Sequence, residues 1–208
     1  MFKKMFTRFS KVVAAGLVLS FMFLVPGAEA SHWGLSGGLQ THDPTIVRES
    51  GNTWWSASTG TGIGMKYSTN GGKTWTDGLP IFSRPLSWWK KYAPNMTTND
   101  VWAPDLEYYR GRYYCYYSVS EFGKNNSAIG LVSCSSISKG DWRDDGVVLY
   151  SRYGSSKFNA IDPNLVVDAK GKPWLVYGSW FDGIHVVRLN QSTMKPTGSS
   201  TKIAYRSG

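Results

Sequence analysis

Residues Gly171–Gly178 read GKPWLVYG: a glycine, a run of aromatic and aliphatic residues, and a closing glycine. The same opening occurs sixty residues earlier at Gly111 and sixty before that at Gly51. The runs that follow those glycines are Trp54-Trp55-Ser56-Ala57 and Tyr114-Cys115-Tyr116-Tyr117-Ser118. Upstream, Pro44, Pro104 and Pro163 recur at intervals of 60 and 59, each placed to open a short strand. Downstream, a third run follows each aromatic one: Gly64–Ser68, Ala128–Val132 and Ile184–Arg188. A fourth closes the unit, for example Gly146–Tyr150. Short β-rich runs bounded by Gly, Asn, Asp and Ser, with little helical periodicity, predict an all-β chain. A four-stranded antiparallel unit repeated at a fixed period predicts the blades of a β-propeller, near residues 40–100, 101–158 and 159–208. About three blades are present, whereas propellers close with roughly four to eight. The chain therefore reads as a partial propeller, a truncated protein.

One blade carries a further signature. Ser68-Thr69-Asn70-Gly71-Gly72-Lys73-Thr74-Trp75 fits the Asp-box hairpin, with Asn70 in place of the aspartate. Asn and Gly favour the tight turn, so the motif predicts structure and not catalysis.

The N-terminus has a basic patch (Lys3, Lys4, Arg8, Lys11), an apolar run from Val12 to Val25, and Ala28-Glu29-Ala30. That order is a secretory signal, residues 1–30, with cleavage expected after Ala30. The run is too short for a membrane span, so the expectation is a secreted, extracellular protein without a membrane partner. Residues 31–208 form the propeller domain. Beyond residue 30 the charged residues are 19 basic and 13 acidic, net +6, scattered among aromatics and forming no run. That pattern speaks against a nucleic-acid partner. Cys115 and Cys134 would face each other in a hairpin centred on Lys124 and Asn125, so a disulfide and a pair of free thiols are both open.

Aligning the units on their prolines makes Asp43, Ala103 and Asp162 equivalent. Each lies at the start of the strand nearest the channel, so two carboxylates from alternate blades would face one cleft. Paired carboxylates across a cleft are what glycoside hydrolysis uses. An Asp-Pro can also be a simple turn, but repetition at a blade period favours the site. His42 is either a turn residue or a neighbour that tunes Asp43, and its position favours the second. Trp102, Phe122, Gly123, Asn159, Ser179, Trp180 and Phe181 surround the aspartates in sequence and supply aromatic faces and hydrogen-bonding groups suited to sugars. Trp54, Trp55, Trp75 and Trp174 are expected to pack between sheets. Glu107 and Glu121 match neither aspartate in spacing and are expected at the surface or in secondary roles.

His42-Asp43-Pro44, Trp102-Ala103-Pro104-Asp105, Phe122-Gly123 with Asn126–Gly130, Asn159-Ala160-Ile161-Asp162-Pro163-Asn164 and Gly178-Ser179-Trp180-Phe181 together resemble glycoside hydrolase family 43, more narrowly its arabinan endo-1,5-alpha-L-arabinanases. The resemblance runs from about Trp33 to Gly208. It implies a five-bladed propeller and inversion at the anomeric carbon. Asp43 matches the general base, and Asp162 the carboxylate that orients the general acid and holds its pKa high. His42, Trp102, Phe122, Gly123, Asn159, Ala160, Ile161, Ser179, Trp180 and Phe181 match the substrate-binding set. The family's general acid is a Glu in a Glu-Gly-Pro on blade four. The last glutamate here is Glu121, so the 208-residue chain alone is expected to be nearly inactive. The resemblance also implies a structural calcium on the propeller axis, with no ligand in this chain and no cofactor needed for the chemistry. Arabinan and arabino-oligosaccharides of plant pectin are the implied partners of a monomeric enzyme. A non-catalytic carbohydrate-binding propeller, an exo-arabinofuranosidase or beta-xylosidase, and a sialidase suggested by the Asp-box are the competing readings.

Overall fold

The computed structural model describes residues 34–206; the expected signal segment and its cleavage point lie outside the described residues. Fourteen strands run in chain order: β1 Ser36–Gly37, β2 Thr45–Ser50, β3 Thr53–Ser58, β4 Gly60–Thr61, β5 Gly64–Ser68, β6 Thr74–Asp77, β7 Asp100–Tyr109, β8 Arg112–Ser120, β9 Ser127–Cys134, β10 Arg143–Ser151, β11 Asn164–Val167, β12 Pro173–Ser179, β13 Gly183–Arg188 and β14 Thr201–Ala204. A single turn of helix, α1 Trp89–Tyr92, lies between β6 and β7.

The strands form three sheets, ordered β1-β6-β5-β3-β2, β10-β9-β8-β7-β4 and β11-β12-β13-β14. Each sheet contains the expected four-stranded antiparallel meander. Two short strands add to it: β1 pairs parallel with β6, and β4 pairs with the first residues of β7. The turns between the first two meander strands use Gly51, Gly111 and Gly171, at φ 50°, 89° and 71°. Those left-handed values explain the sixty-residue glycine period, because glycine adopts them without a Cβ clash.

The middle sheet is covered on both faces, which accounts for the unbroken aromatic run of β8. Successive side chains alternate faces. Tyr113, Cys115, Tyr117 and Val119 enter a core shared with the first sheet, where Ala57, Met65 and Val101 sit. Tyr114 and Tyr116 enter a second core with Leu165, Leu175 and Val187 of the third sheet. α1 plugs the first core: Trp89 meets Phe82 edge-on at 5.1 Å and lies 6.0 Å from Tyr117, centroid to centroid. Gly130 stands opposite Tyr117, and a Cβ there would collide with the Tyr117 ring.

Three sequence expectations need correction. First, Ser120 pairs with Ser127, so the β8–β9 hairpin is centred between Gly123 and Lys124, not on Lys124 and Asn125. Glu121 fixes this by accepting the Asn95 and Asn126 side-chain amides, while Gly123 takes φ 79°. Cys115 then faces Val132 and Cys134 faces Tyr113, and both thiols are free and buried. Burial pushes the Cys115 thiol well above its usual range and that of Cys134 up to about 12, so neither is a ready nucleophile. Second, Glu121 is buried and not at the surface, which leaves it the secondary role that was the other half of the expectation. Third, Pro104 does not open a strand but interrupts β7. The register slips between Trp102 and Asp105, because proline offers no N–H to the ladder.

The Asp-box hairpin between β5 and β6 is built as the motif implies. Ser68 Oγ accepts from the amides of Asn70 and Gly72, at 3.4 and 3.0 Å. Asn70 Oδ1 accepts from the Thr74 amide at 2.9 Å.

Candidate active site

Asp43, Ala103 and Asp162 all have left-handed backbones, with φ of 48°, 37° and 54°. Each precedes a proline, which crowds the preceding residue out of the right-handed helical region. Aspartate tolerates the left-handed region better than alanine, so Ala103 carries more strain. The kink recurs at the mouth of each sheet. The residue before it ends the ladder to the aromatic strand in the outer two sheets: His42 accepts from the Thr59 amide and Ile161 from the Gly178 amide, both at 2.9 Å.

Side chains cross the seams between sheets at matching places. Ala103 N–H donates to Thr59 Oγ1 at 2.7 Å, and Asp162 N–H to Ser118 Oγ at 3.1 Å. One step further along, Leu106 N–H donates to Thr45 Oγ1 at 3.2 Å and Leu165 N–H to Asp105 Oδ2 at 2.6 Å. The backbones of the second and third kinks are therefore fixed by the sheet before each.

The carboxylates differ in setting. Asp43 Oδ2 accepts from Thr59 Oγ1 at 2.7 Å and lies 3.3 Å from His42 Nε2. Asp162 is exposed to solvent as a residue, yet partial enclosure of its carboxyl first, and then the negative charge of Asp43, push it above the usual range. The two aspartates are 119 residues apart in the chain yet stand at the same end of the sheets. Asp105 is also pushed up by burial, against the lowering effect of its bonds to Leu165 and Asn164.

Large aromatics project from the same end. Phe122 and Trp180, on the loops that leave β8 and β12, are 94% and 82% exposed. Trp102 meets Phe122 edge-on, with centroids 6.5 Å apart, and Trp180 stacks on Phe181 at 4.2 Å. Trp102 and Phe122 also line a cavity of about 370 Å³ with Thr97, Asp100, Ser120 and Lys124. That cavity borders the aspartates' end of the middle sheet but includes neither Asp43 nor Asp162 among its walls.

The remaining residues of the sequence-derived set differ in burial. Asn159 and Ala160 are buried. Asn159 Oδ1 accepts from Ser127 Oγ at 2.7 Å, and the Ala160 amide donates to Ser151 Oγ at 2.9 Å. Both bonds tie the Asp162 loop to the β9–β10 edge. The Asn159 side chain is committed to that network, not presented to solvent. Gly123 forms the exposed hairpin tip. Ile161 is half-buried; so is Ser179, whose buried Oγ has no partner among the described residues. Burial opposes ionisation of Glu121, but hydrogen bonds from Asn95 and Asn126 and the charge of Lys124 hold its carboxyl below the usual range. It is therefore a fixed anion that organises the hairpin. Glu107 is pushed up by burial and then by Asp105. Among the described residues no three of His, Cys, Asp and Glu gather to hold a metal ion.

The seam hydroxyls Thr59 and Ser118 are absent from the sequence-derived set. Each lies 44 residues ahead of the kink it binds, a spacing that could have revealed them.

The model of glycosyl hydrolases family 43 matches residues 38–208. The chain belongs to this family. It is 48% identical to the extracellular endo-alpha-(1->5)-L-arabinanase 1 of Bacillus subtilis over 98% of its length and 63% of that protein. The endo-arabinanase of Bacillus licheniformis superposes with a TM-score of 0.79 at 51% identity, over 84% of this chain and 60% of that one. The Cellvibrio cellulosa alpha-L-arabinanase complexed with arabinohexaose gives 0.72 at 34% identity, over 78% and 52%. The family 43 chain thus spans between 52% and 63% of the length of these three proteins. No helix among its described residues is long and apolar enough to cross a membrane.

Proposed function

We propose that the whole protein is a secreted, monomeric endo-arabinanase that cuts internal alpha-1,5-L-arabinofuranosidic links of arabinan with inversion. The three sheets are three consecutive blades of a five-bladed propeller. The observation that carries this reading is the recurrence of one left-handed Asp-Pro kink at Asp43 and Asp162, each at the mouth of its sheet, beside the exposed Phe122 and Trp180.

Asp43 takes a proton from the attacking water as its oxygen bonds to the anomeric carbon on the face opposite the leaving group. Inversion calls for a separation of roughly 6.5–9.5 Å between acid and base carboxyls, leaving room for that water. The acid is the glutamate that the family resemblance assigns to a fourth blade, in the part of the relatives that this chain does not span. Asp162, whose carboxyl burial and then Asp43 push above the usual range, adds negative potential that raises the pKa of a neighbouring acid. Trp102, Phe122, Trp180 and Phe181 offer faces to arabinofuranose rings, and Asn159, Ala160 and Ile161 hold the Asp162 loop beneath them. A calcium on the propeller axis would be structural and takes no part in the chemistry.

The test is product analysis on linear arabinan with the whole protein. Arabino-oligosaccharides should appear before arabinose, and NMR of the first turnovers should show the inverted anomer. Arabinose alone, or a retained anomer, would contradict the reading.

A further inference from the structure

Thr59 is the residue through which the first seam reaches the carboxylate. Its hydroxyl makes two bonds of 2.7 Å at once: it accepts from the Ala103 N–H of the next sheet and donates to Asp43 Oδ2. The order is forced. The amide can only donate, so the hydroxyl proton is turned toward the carboxylate. A donor bonded to an ionised oxygen makes a charge-assisted bond, the stronger kind. His42 Nε2 approaches the same Oδ2 at 3.3 Å, and among the described residues no hydrogen-bond partner reaches Oδ1. Asp43 is therefore held by one oxygen and free at the other.

We infer that Thr59 is a positioning residue for the base. It locks the Asp43 carboxylate by Oδ2 and leaves Oδ1 aimed at the water. This rests on the reading of Asp43 as the general base. In the step it serves, the water O–H bond breaks and its proton moves to Oδ1. The water oxygen bonds to the anomeric carbon, and the glycosidic C–O bond breaks with its electron pair going to the leaving oxygen, which is protonated by the acid. Thr59 exchanges no proton in this step. Its role is to remove rotation about the Asp43 side chain, and misplacement of a catalytic group by about 1 Å can cost on the order of a hundredfold in rate.

The second seam shows what is special about the first. Ser118 accepts from the Asp162 amide across an identical 44-residue separation, but its bond to that segment is to backbone only. Thr59 alone of the two continues the link into a carboxylate.

The experiment is a set of Thr59 variants of the whole protein, assayed on linear arabinan in the wild-type and Asp43→Ala backgrounds, the latter with azide as a replacement nucleophile. Thr59→Val should lower kcat by about ten- to a hundredfold with KM unchanged, because Thr59 does not touch the sugar. Thr59→Ser should recover kcat to within about threefold, since it keeps both bonds, and Thr59→Cys should fall between as a weak donor. In the Asp43→Ala background Thr59→Val should cost nothing further, the signature of a residue acting through Asp43. If Thr59→Val does not fold, the Ser and Cys variants carry the same comparison. Equal losses in both backgrounds, wild-type kcat in Thr59→Val or Thr59→Cys, or failure of Thr59→Ser to recover would each overturn the inference. Full activity of Asp43→Ala would instead overturn the base assignment beneath it.

Discussion

At the residue scale, the left-handed aspartates show how one backbone device serves two ends. Asp43 and Asp162 adopt the same strained turn, and the environment then separates them. Asp43 has a hydroxyl donor on one oxygen, whereas Asp162 is partly enclosed and feels the charge of Asp43. A carboxyl whose folded pKa lies above its unfolded value is a liability when ionised. The folded state binds that proton more readily, so its cost is present at neutral pH and disappears as pH falls through the raised value toward the unfolded one. Asp162→Asn, which keeps a residue tolerant of the left-handed region, should therefore raise Tm at pH 7 by about 1–2 °C, a small figure because the group is partly exposed. The gain should shrink toward zero near pH 3, while activity of the whole protein falls. Calorimetry across pH checks the first part. The pairing of these aspartates was legible in the sequence because Asp-Pro recurs at a blade period. Thr59 was not, because a lone hydroxyl at the end of a strand carries no local signal; only the 44-residue offset shared with Ser118 marks it.

At the scale of elements, the strands were legible and their register was not. Glycines at left-handed turns and aromatic runs locate β3, β8 and β12 from composition alone. The β8–β9 hairpin shifts as Glu121 engages Asn126 within the hairpin and Asn95, 26 residues earlier in the chain. No local pattern reports such a bond, so the Cys115–Cys134 alignment read from hairpin symmetry does not occur. The short pairings of β1 with β6 and β4 with β7 were equally hidden, since two-residue strands have no periodicity to read. Asp105 is the element-scale fastener between the second and third sheets, accepting from Leu165 N–H at 2.6 Å and from Asn164 Nδ2 at 3.3 Å. Asp105→Ala leaves the Leu165 amide without its acceptor. It should destabilise the fold by about 1–3 kcal/mol, partly offset by relief of a desolvated carboxyl. Urea unfolding of the variant beside Asp105→Asn, which retains one acceptor, measures this.

At the scale of the molecule, three sheets pack face to face, and the middle one lends one face to each neighbour. This explains why the middle unit is the most aromatic and the most buried, with β8 and β9 almost wholly enclosed. It also brings residues 119 positions apart to one end of the assembly. The all-β class and the repeat were legible because blade units restate themselves along the chain. Seam chemistry was not, because it joins one repeat to the next and belongs to neither. The central claim is that Asp43 and Asp162 face a common cleft. NMR titration of the Asp162 side-chain carboxyl, in the native sequence and in Asp43→Asn, tests it most directly. Asp162 should titrate above the usual aspartate range and move down toward it when the Asp43 charge is removed. An Asp162 titration that does not respond to Asp43→Asn would contradict the account.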